Sequence, residues 1–181
     1  MENILPLIEH GHLHYGENKV QEALDKWSDI KLKNNAIKLH LIGRLQTNKV
    51  KFALRIFDYI HSLDSEKLAI KISEEQKKQE KNTKIFIQVN IGNEDQKSGI
   101  NKDNLIDFYK FCKNLNLDII GTMCIPPNDS NTEKYFAEMS DLNKELNFKE
   151  LSMGMSGDYL EAIKYNATYI RVGSKIFGNR N

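Results

Sequence analysis

The sequence predicts an α/β protein built as a (β/α) barrel of the TIM type, with an open doubly wound sheet as the alternative. Short apolar runs alternate with segments of helical periodicity from one end of the chain to the other, which is typical of repeated βαβ units. The runs carry few polar residues, as expected of strands buried on both faces. A length of 181 residues suits one domain, which we place at 1–181.

Seven segments combine apolar and β-branched residues over short lengths and are predicted strands. In chain order they are Leu13–Tyr15, Lys38–Ile42, Tyr59–Ser62, Lys84–Ile91, Ile119–Ile125, Glu150–Met153 and Tyr169–Val172. Six intervening segments place apolar residues at i, i+3 or i+4 spacing and are predicted helices. They are Asn18–Trp27, Gln46–Ile56, Glu66–Gln79, Asn101–Leu115, Thr132–Leu146 and Asp158–Asn166.

The number of strands is one short of a closed barrel. Such a barrel has eight strands and about 200 residues or more. Here the first predicted strand lies almost at the N-terminus. We therefore expect seven recognisable strands, with the first barrel strand missing.

Composition excludes several classes of partner. With 26 basic and 25 acidic residues the chain has no overall positive potential that would attract a polyanion. Neither nucleic acid nor a membrane surface is therefore expected as a partner. No apolar run approaches the roughly 18 residues of a membrane span, and Met1–Pro6 has no signal-type leader. Cys112 and Cys124 are too few for a disulfide framework and are expected to be buried free thiols. We expect a cytoplasmic protein.

The segment Leu151–Asp158 leaves a predicted strand and opens a predicted helix through two glycines and two serines. Such a turn lets the backbone approach a ligand and exposes N–H groups that favour an anion. A second small-residue turn, Arg171–Ser174, follows the last strand. In βα-barrels a phosphate commonly lies between the loops after the last two strands, which are these two turns. The alternative is that the glycines only form turns and that Ser156 or Asp158 only caps a helix.

Arg171 shares a strand face with Tyr169 and Gly173, because alternate strand residues point the same way. An arginine inside a barrel keeps its proton and is costly to bury without an acceptor. It therefore implies a bound anion, a carboxylate or a ring nitrogen nearby. A structural salt bridge is the competing interpretation.

Polar residues also interrupt apolar strands, namely His40 on one strand and Gln88 and Asn90 on another. Near strand C-termini such residues line ligand pockets, although they could equally be core groups with satisfied hydrogen bonds.

Three histidines, His10, His12 and His14, alternate near the N-terminus and could form a metal site on one strand face. Gly11 and the preceding helical segment disfavour a continuous strand there, so no metal is expected. The sequence has no Ser-His-Asp signature and no P-loop, and no catalytic residue is assigned.

Ordered motifs across nearly the whole chain carry a resemblance to a known family. On these motifs the chain resembles the pyridoxal phosphate homeostasis protein family, the single-domain relatives of the alanine racemase N-terminal barrel. The resemblance implies an alanine racemase N-terminal type barrel that holds pyridoxal 5′-phosphate (PLP) at its strand C-termini. The motifs are His14–Glu22, Leu39–Lys49, Ile60–Asp64, Gln88–Ile91, Lys97–Gly99, Gly121–Met123, Ile125–Pro127, Leu151–Gly157 and Arg171–Gly178.

The resemblance implies which residues bind PLP. The phosphate-binding serine of the Met-Gly-Met-Ser turn maps to Ser156, and the glycine and hydroxyl of the final turn map to Gly173 and Ser174. The arginine that faces the pyridine nitrogen maps to Arg171. Because this cation disfavours ring protonation, it weakens PLP as an electron sink and suits a carrier more than a catalyst. Asn18, in the Gly-Glu-Asn motif, is expected near the cofactor.

The chain departs from the family at its start. The resemblance implies a Schiff-base lysine at the end of the first barrel strand, upstream of the stretch corresponding to Glu2–Gly11. We expect this chain to lack both that strand and that lysine, which argues against covalent attachment of PLP. The remaining Lys19, Lys49 and Lys175 do not match the family's lysine motif. A start codon assigned too far downstream, or a decayed reading frame, would explain the sequence equally well.

Loss of a strand would expose two sheet edges, at about 1–3 kcal/mol for each buried backbone group left unsatisfied. This predicts reduced stability, or repair of the gap by another chain or a shifted segment, in a family whose members are usually monomers. Self-association through the edges is one form of such repair.

Three functional hypotheses follow. The leading one is a non-catalytic PLP-binding protein of vitamin B6 homeostasis, with PLP-dependent enzymes as its possible recipients. The second is an inert or partner-dependent remnant. The third, an amino-acid racemase, needs the absent lysine and a second acid/base normally supplied by another domain.

Overall fold

The computed structural model describes residues 3–94 and 96–178. Within them the strands are β1 (His14–Glu17), β2 (Lys38–Leu41), β3 (Tyr59–Leu63), β4 (Lys84–Asn90), β5 (Ile100–Asn101), β6 (Ile119–Met123), β7 (Glu150–Met155) and β8 (Tyr169–Arg171). The helices are α1 (Leu5–Glu9), α2 (Val20–Lys33), α3 (Val50–Ile56), α4 (Glu66–Gln79), α5 (Leu105–Asn114), α6 (Thr132–Glu145), α7 (Tyr159–Lys164) and α8 (Ser174–Phe177). Short 3₁₀ turns, Thr47–Lys49 and Lys102–Asn104, precede α3 and α5. Residues 1 and 2, in the segment predicted to have no signal-type leader, lie outside these ranges. Residues 179–181, at the end of the predicted domain, also lie outside them.

The strands form one curved parallel sheet in the order β1-β2-β3-β4-β6-β7-β8, with β5 added beside β4. Each βα unit thus advances the sheet by one strand, as in a βα-barrel. No pairing joins β1 to β8 within the described residues. The ring centroids of His14 on β1 and Tyr169 on β8 are nevertheless 6.3 Å apart, so the sheet curls until its two ends approach. The predicted TIM-type barrel is confirmed.

All seven predicted strands are present, and the differences lie at element boundaries. Helix α2 begins at Val20 instead of Asn18, because Asn18 and Lys19 complete the turn out of β1. The helix predicted from Asn101 begins at Leu105, because Ile100–Asn101 pairs with β4. Strand β5 has only two residues, too few to produce an alternating pattern that sequence reasoning could detect.

Two apolar clusters occupy the two faces of the sheet. The larger lies between the sheet and the helices, and the smaller lies inside the barrel. Alternate strand residues point to opposite faces, so each strand contributes to both clusters. Fully buried members of the outer cluster include Trp27, Leu39, Leu41, Ile60, Ile85 and Ile87; the inner cluster is Tyr59, Phe86 and Met123, with Ile120 and Tyr169 packed against it.

Glu17 anchors β1 to α2 and thereby sets the position of the residue that follows it. Its carboxylate is buried and accepts hydrogen bonds from Trp27 Nε1 (2.7 Å) and Lys26 Nζ (2.6 Å), which offset the cost of burying its charge. A Cβ on Gly43 would lie 2.3 Å from the Asn18 carbonyl oxygen. Glycine therefore allows the segment after β2 to pack directly on Asn18.

Expectations drawn from composition are also tested by the fold. Cys112 and Cys124 are buried and free, as predicted, and burial raises the pKa of each thiol to about 12. Among the described residues, no helix combines the length and the apolar character needed to cross a bilayer.

Candidate functional site

Two turns at the carboxyl ends of β7 and β8 meet at the candidate site. The Ser156 hydroxyl oxygen accepts hydrogen bonds from the backbone N–H of Gly173 (3.1 Å) and of Lys175 (3.5 Å). One serine side chain therefore bridges the turn after β7 and the turn that opens α8. The structure brings together the two turns that the sequence predicted to be neighbours.

The turn after β7 is shaped by Gly154 and Asp158. Gly154 has φ +90°, and a Cβ there would lie 2.6 Å from the Ala162 Cβ on α7, so only glycine lets β7 pass this closely. The Asp158 carboxylate occupies the N-cap position of α7 but makes no capping bond. It accepts instead from the Met155 N–H at 2.6 Å. Neither side chain caps α7: Asp158 accepts within its own turn, and Ser156 accepts from two amides at the start of α8, so a ligand-binding role for Ser156 stays a prediction beside this structural one.

Open space borders the bridge on both sides. A Cβ placed on Gly157 or on Gly173 would meet no atom of the described residues within 4 Å. Ser174, the first residue of α8, is exposed. The ammonium of Lys175 lies 4.8 Å from the Tyr159 ring centroid, at the start of α7, and adds a cation to this corner. Backbone N–H groups, hydroxyls and a cation around open space are groups that bind a phosphate.

Arg171 points inward and holds only neutral acceptors. Its Nη1 donates to the Ser152 hydroxyl oxygen (2.8 Å), and its Nη2 donates to the Cys124 carbonyl (2.7 Å). In residues 3–94 and 96–178 no carboxylate forms an ion pair with it, so the competing salt-bridge interpretation is wrong there. Burial lowers the pKa of the guanidinium, which stays cationic at neutral pH. The Asp158 carboxylate on the turn after β7 acts on it through space and partly opposes the lowering of its pKa.

A chain of hydrogen-bonded side chains crosses the barrel interior and ends at the Ser152 hydroxyl. His14 Nδ1 lies 2.9 Å from His40 Nε2, His40 Nδ1 lies 2.9 Å from His61 Nε2, and His61 Nδ1 lies 2.9 Å from Ser152 Oγ. We call His14, His40 and His61 the histidine row. It spans β1, β2 and β3 and connects them to β7.

The two inner histidines are neutral. Desolvation lowers the pKa of His40 to about 3 and that of His61 well below its usual 6.5. Aromatic rings hold both imidazoles in place: Tyr59 stacks on His40 at a centroid distance of 4.1 Å, and Phe86 stacks on His61 at 4.2 Å. His14, at the outer end of the row, is exposed.

Asn18 lies at the end of β1, at the same carboxyl-terminal edge of the sheet as the two turns. It is exposed, and none of the hydrogen bonds described for this edge joins it to Ser156 or Arg171. Its place beside the cofactor stays a prediction.

Gln88 and Asn90 bind the loop after β4. Gln88 Nε2 donates to the Ser98 carbonyl (3.0 Å), and Asn90 Nδ2 donates to the Glu94 carbonyl (2.9 Å). Both side chains are therefore hydrogen-bonded within the protein, as the alternative expects, and a pocket-lining role for them stays a prediction. His40 is likewise satisfied, within the histidine row.

The alternating histidines near the N-terminus do not share a strand, because β1 starts only at His14. Across the described part of the chain no group of three or more His, Cys, Asp or Glu side chains is placed to bind a metal. His14 instead contacts His40.

Ser152 and His61 are the site residues that sequence reasoning missed. A period of two along β7 places Ser152 on the face of Gly154 and Ser156, and a period of two along β3 places His61 with Tyr59 inside the barrel. Alternation could thus have assigned both to the interior. It could not have shown that they touch.

Comparison with known proteins identifies the family. The profile described as "Alanine racemase, N-terminal domain" matches residues 1–181. The "Pyridoxal phosphate homeostasis protein" of Aquifex aeolicus (strain VF5) is 39% identical over 176 residues, covering 92% of this chain and 76% of that protein. The protein of the same name from Pasteurella multocida (strain Pm70) is 36% identical over 192 residues, covering 100% of this chain and 82% of the relative.

A solved structure agrees with the sequence relatives. PipY of Synechococcus elongatus PCC7942, with PLP bound, superposes with a TM-score of 0.89 at 33% identity, covering 97% of this chain and 86% of PipY. The chain therefore belongs to the alanine racemase N-terminal domain family and, within it, to the pyridoxal phosphate homeostasis proteins.

Proposed function

We propose that this chain binds PLP between the β7 and β8 turns and serves PLP homeostasis as a carrier, without catalysing a reaction of its own. The observation that carries the proposal is the Ser156 bridge to the Gly173 amide, beside an Arg171 that forms no ion pair with a carboxylate among the described residues. Relatives named for PLP homeostasis, and a PipY structure with PLP bound, support it.

The phosphate end of the site fits the residues present. The Ser156 and Ser174 hydroxyls would donate to the phosphate, and the Gly173 N–H would exchange its bond to Ser156 Oγ for one to the phosphate. Open space beside Gly157 and Gly173 leaves room for it. Charge-assisted hydrogen bonds from N–H and O–H groups to a phosphate are shorter and stronger than neutral ones. Lys175 would add a cation at the same end.

The ring end of the site depends on Arg171. PLP supplies an electron sink for carbanion chemistry, and it is strongest when the ring nitrogen is protonated. The Arg171 cation can only donate a hydrogen bond, so it favours an unprotonated ring nitrogen. This arrangement favours storage and delivery over catalysis. We place Asn18 at the rim of the same pocket.

The finer features of the role are proposals as well. We propose that the whole chain forms one PLP-binding domain, that it acts in the cytoplasm, and that PLP-dependent enzymes receive its cofactor. The buried free thiols support a reducing compartment.

The proposal is tested by equilibrium dialysis of the purified full chain against PLP, with bound PLP measured by absorbance. We expect saturable binding of one PLP per chain, weakened at least about tenfold in Ser156→Ala and in Arg171→Met, because each loses a hydrogen bond in which one of the two groups is charged. The matched control is Ser62→Ala, since the buried Ser62 hydroxyl has no hydrogen-bond partner within the described part of the chain. Absence of binding by the unaltered chain, or equal binding by all variants, would refute the site. Racemisation of L-alanine by the PLP-saturated chain would refute the non-catalytic role.

A further inference from the structure

We propose that Ser152 and His61 are positioning residues that hold the Arg171 guanidinium at the ring end of the site. This inference rests on the proposed function and deepens it. Neither residue lies in the two turns. Both act through Arg171, Ser152 by direct contact and His61 through Ser152.

The direction of the hydrogen bonds follows from the donor inventory. Arginine can only donate, so the Ser152 oxygen accepts from Arg171 Nη1. The Ser152 hydroxyl hydrogen takes part in a hydrogen bond when it points to His61 Nδ1, so Ser152 donates to that nitrogen. A neutral imidazole has one donor and one acceptor nitrogen, so His61 Nε2 then donates to His40 Nδ1, and His40 Nε2 donates to His14 Nδ1. Every hydrogen points away from the arginine, and every acceptor nitrogen points toward it.

This row does not serve as a proton path to the ligand. Its inner end, His61, leads through Ser152 to Arg171, which neither accepts a proton nor gives one up at neutral pH. His40 and His61 are both buried and resist protonation. A fixed, neutral row instead presents the negative ends of its dipoles to the guanidinium and keeps it oriented.

The two acceptors that hold the Arg171 guanidinium are neutral groups, and they differ in their effect from a carboxylate. An aspartate or glutamate in the place of Ser152 would orient the guanidinium but would neutralise it. Ser152 Oγ and the Cys124 carbonyl fix two of the five N–H groups without adding a negative charge, and the Asp158 carboxylate acts on Arg171 only through space, without an ion pair. The charge can then act on a bound ring nitrogen, where it disfavours protonation.

The first experiment measures the row in the ligand-free full chain. Two-dimensional ¹H–¹⁵N NMR of the histidine side chains distinguishes the Nε2–H from the Nδ1–H tautomer. We expect His40 and His61 to be neutral Nε2–H tautomers. We also expect the His61 Nδ1 resonance to move in Ser152→Ala but not in Ser62→Ala. An Nδ1–H tautomer of His61 would overturn the orientation, whatever the outcome with PLP.

The second experiment measures PLP binding by equilibrium dialysis. Ser152→Ala removes the acceptor of Arg171 Nη1 and should raise the Kd about 10- to 100-fold. His61→Leu should raise it about tenfold, because Ser152 loses its fixed orientation. His61→Asn, whose amide reaches about the place of Nδ1, should stay within about threefold of the unaltered chain. The control Ser62→Ala also removes one hydroxyl, which has no hydrogen-bond partner in residues 3–94 and 96–178, and should leave the Kd unchanged.

The pH dependence of the Kd separates positioning from a general loss of structure. When Arg171 is held in place, protonation of the PLP ring nitrogen opposes binding. The Kd of the unaltered chain should therefore rise as the pH falls. Ser152→Ala should flatten this rise, while phosphate ionisation affects both proteins equally. If the unaltered chain binds PLP and Ser152→Ala matches it in Kd and pH profile, the positioning role is wrong and the proposed function stands. If the unaltered chain does not bind PLP, both fall.

Discussion

Replacing Gly154 by alanine tests the close packing of the β7 turn on α7. Gly154 has φ +90°, a conformation that alanine adopts only with strain. The added methyl carbon would lie 2.6 Å from the Ala162 Cβ and 3.0 Å from the Tyr159 Cα. Neither atom can rotate away, because both are fixed to the helix backbone. The turn must therefore move or α7 must shift.

The cost has two parts. A non-glycine residue at this φ costs about 1–3 kcal/mol. Forcing an extra methyl into a packed contact costs about 1–3 kcal/mol more. The sum, about 2–6 kcal/mol, is a large part of a typical stability of about 5–15 kcal/mol. For a chain of this size it corresponds to a fall in Tm of at least about 4 °C.

Circular dichroism melting of the unaltered chain, Gly154→Ala and Gly157→Ala measures this effect. Gly157 lies three residues further along the same turn, has no positive φ, and leaves open space around an added Cβ. Gly157→Ala should therefore melt within about 1 °C of the unaltered chain, or slightly above it, because alanine restricts the unfolded state. Equal melting temperatures for both variants would show that the turn does not pack on α7 as described.

Three further predictions concern stability, pH and reactivity. Glu17→Ala leaves the buried Trp27 indole N–H without its acceptor and should lower the free energy of unfolding by about 1–3 kcal/mol; an unchanged urea midpoint would contradict this. Because His40 has a folded-state pKa of about 3 against 6.5 when unfolded, the unfolded chain binds more protons between these values, and stability is lost as the pH falls below about 6.5. Urea unfolding should show a loss of about 2 kcal/mol from His40 alone between about pH 7 and pH 5, and His40→Leu should remove that part of the slope. Cys112 and Cys124, with pKa values of about 12, should not react with a thiol reagent at about pH 8 until the chain is unfolded in guanidinium, so fast labelling of either thiol in the native chain would refute their burial.

Much of the fold could be predicted because its signals are local. An apolar run such as Lys84–Ile91 carries its own strand pattern, and the structure has β4 at Lys84–Asn90. The helix start at Asn101 was predicted wrongly because pairing with β4 makes Ile100–Asn101 a strand. The local sequence around Asn101 carries no information about this pairing with a strand elsewhere in the chain. Boundaries therefore failed where a tertiary hydrogen bond competed with helical periodicity.

The candidate site divides in the same way. Ser156, Gly173 and Ser174 lie in turns that directly follow strands, so the sequence pattern located the turns and the family resemblance singled out these residues within them. Asp158 was assigned to the correct turn, but its acceptor role toward the Met155 amide depends on the turn's exact path. Local sequence patterns are sufficient to locate these residues, but they are not sufficient to assign their hydrogen-bond partners.

The sequence by itself determined the order of strands and helices, the two glycine-and-serine turns and the inward face of Arg171, since each depends on residues a few positions apart. Only the tertiary structure decided what Arg171 contacts. His61 and Ser152 are 91 residues apart in the chain, and the acceptor at Cys124 is a backbone carbonyl that carries no side-chain signal. Such contacts depend on how far the sheet curls and on the register of strands that are distant in sequence. The curvature of the barrel therefore brings the buried Arg171 guanidinium and the histidine row together through Ser152.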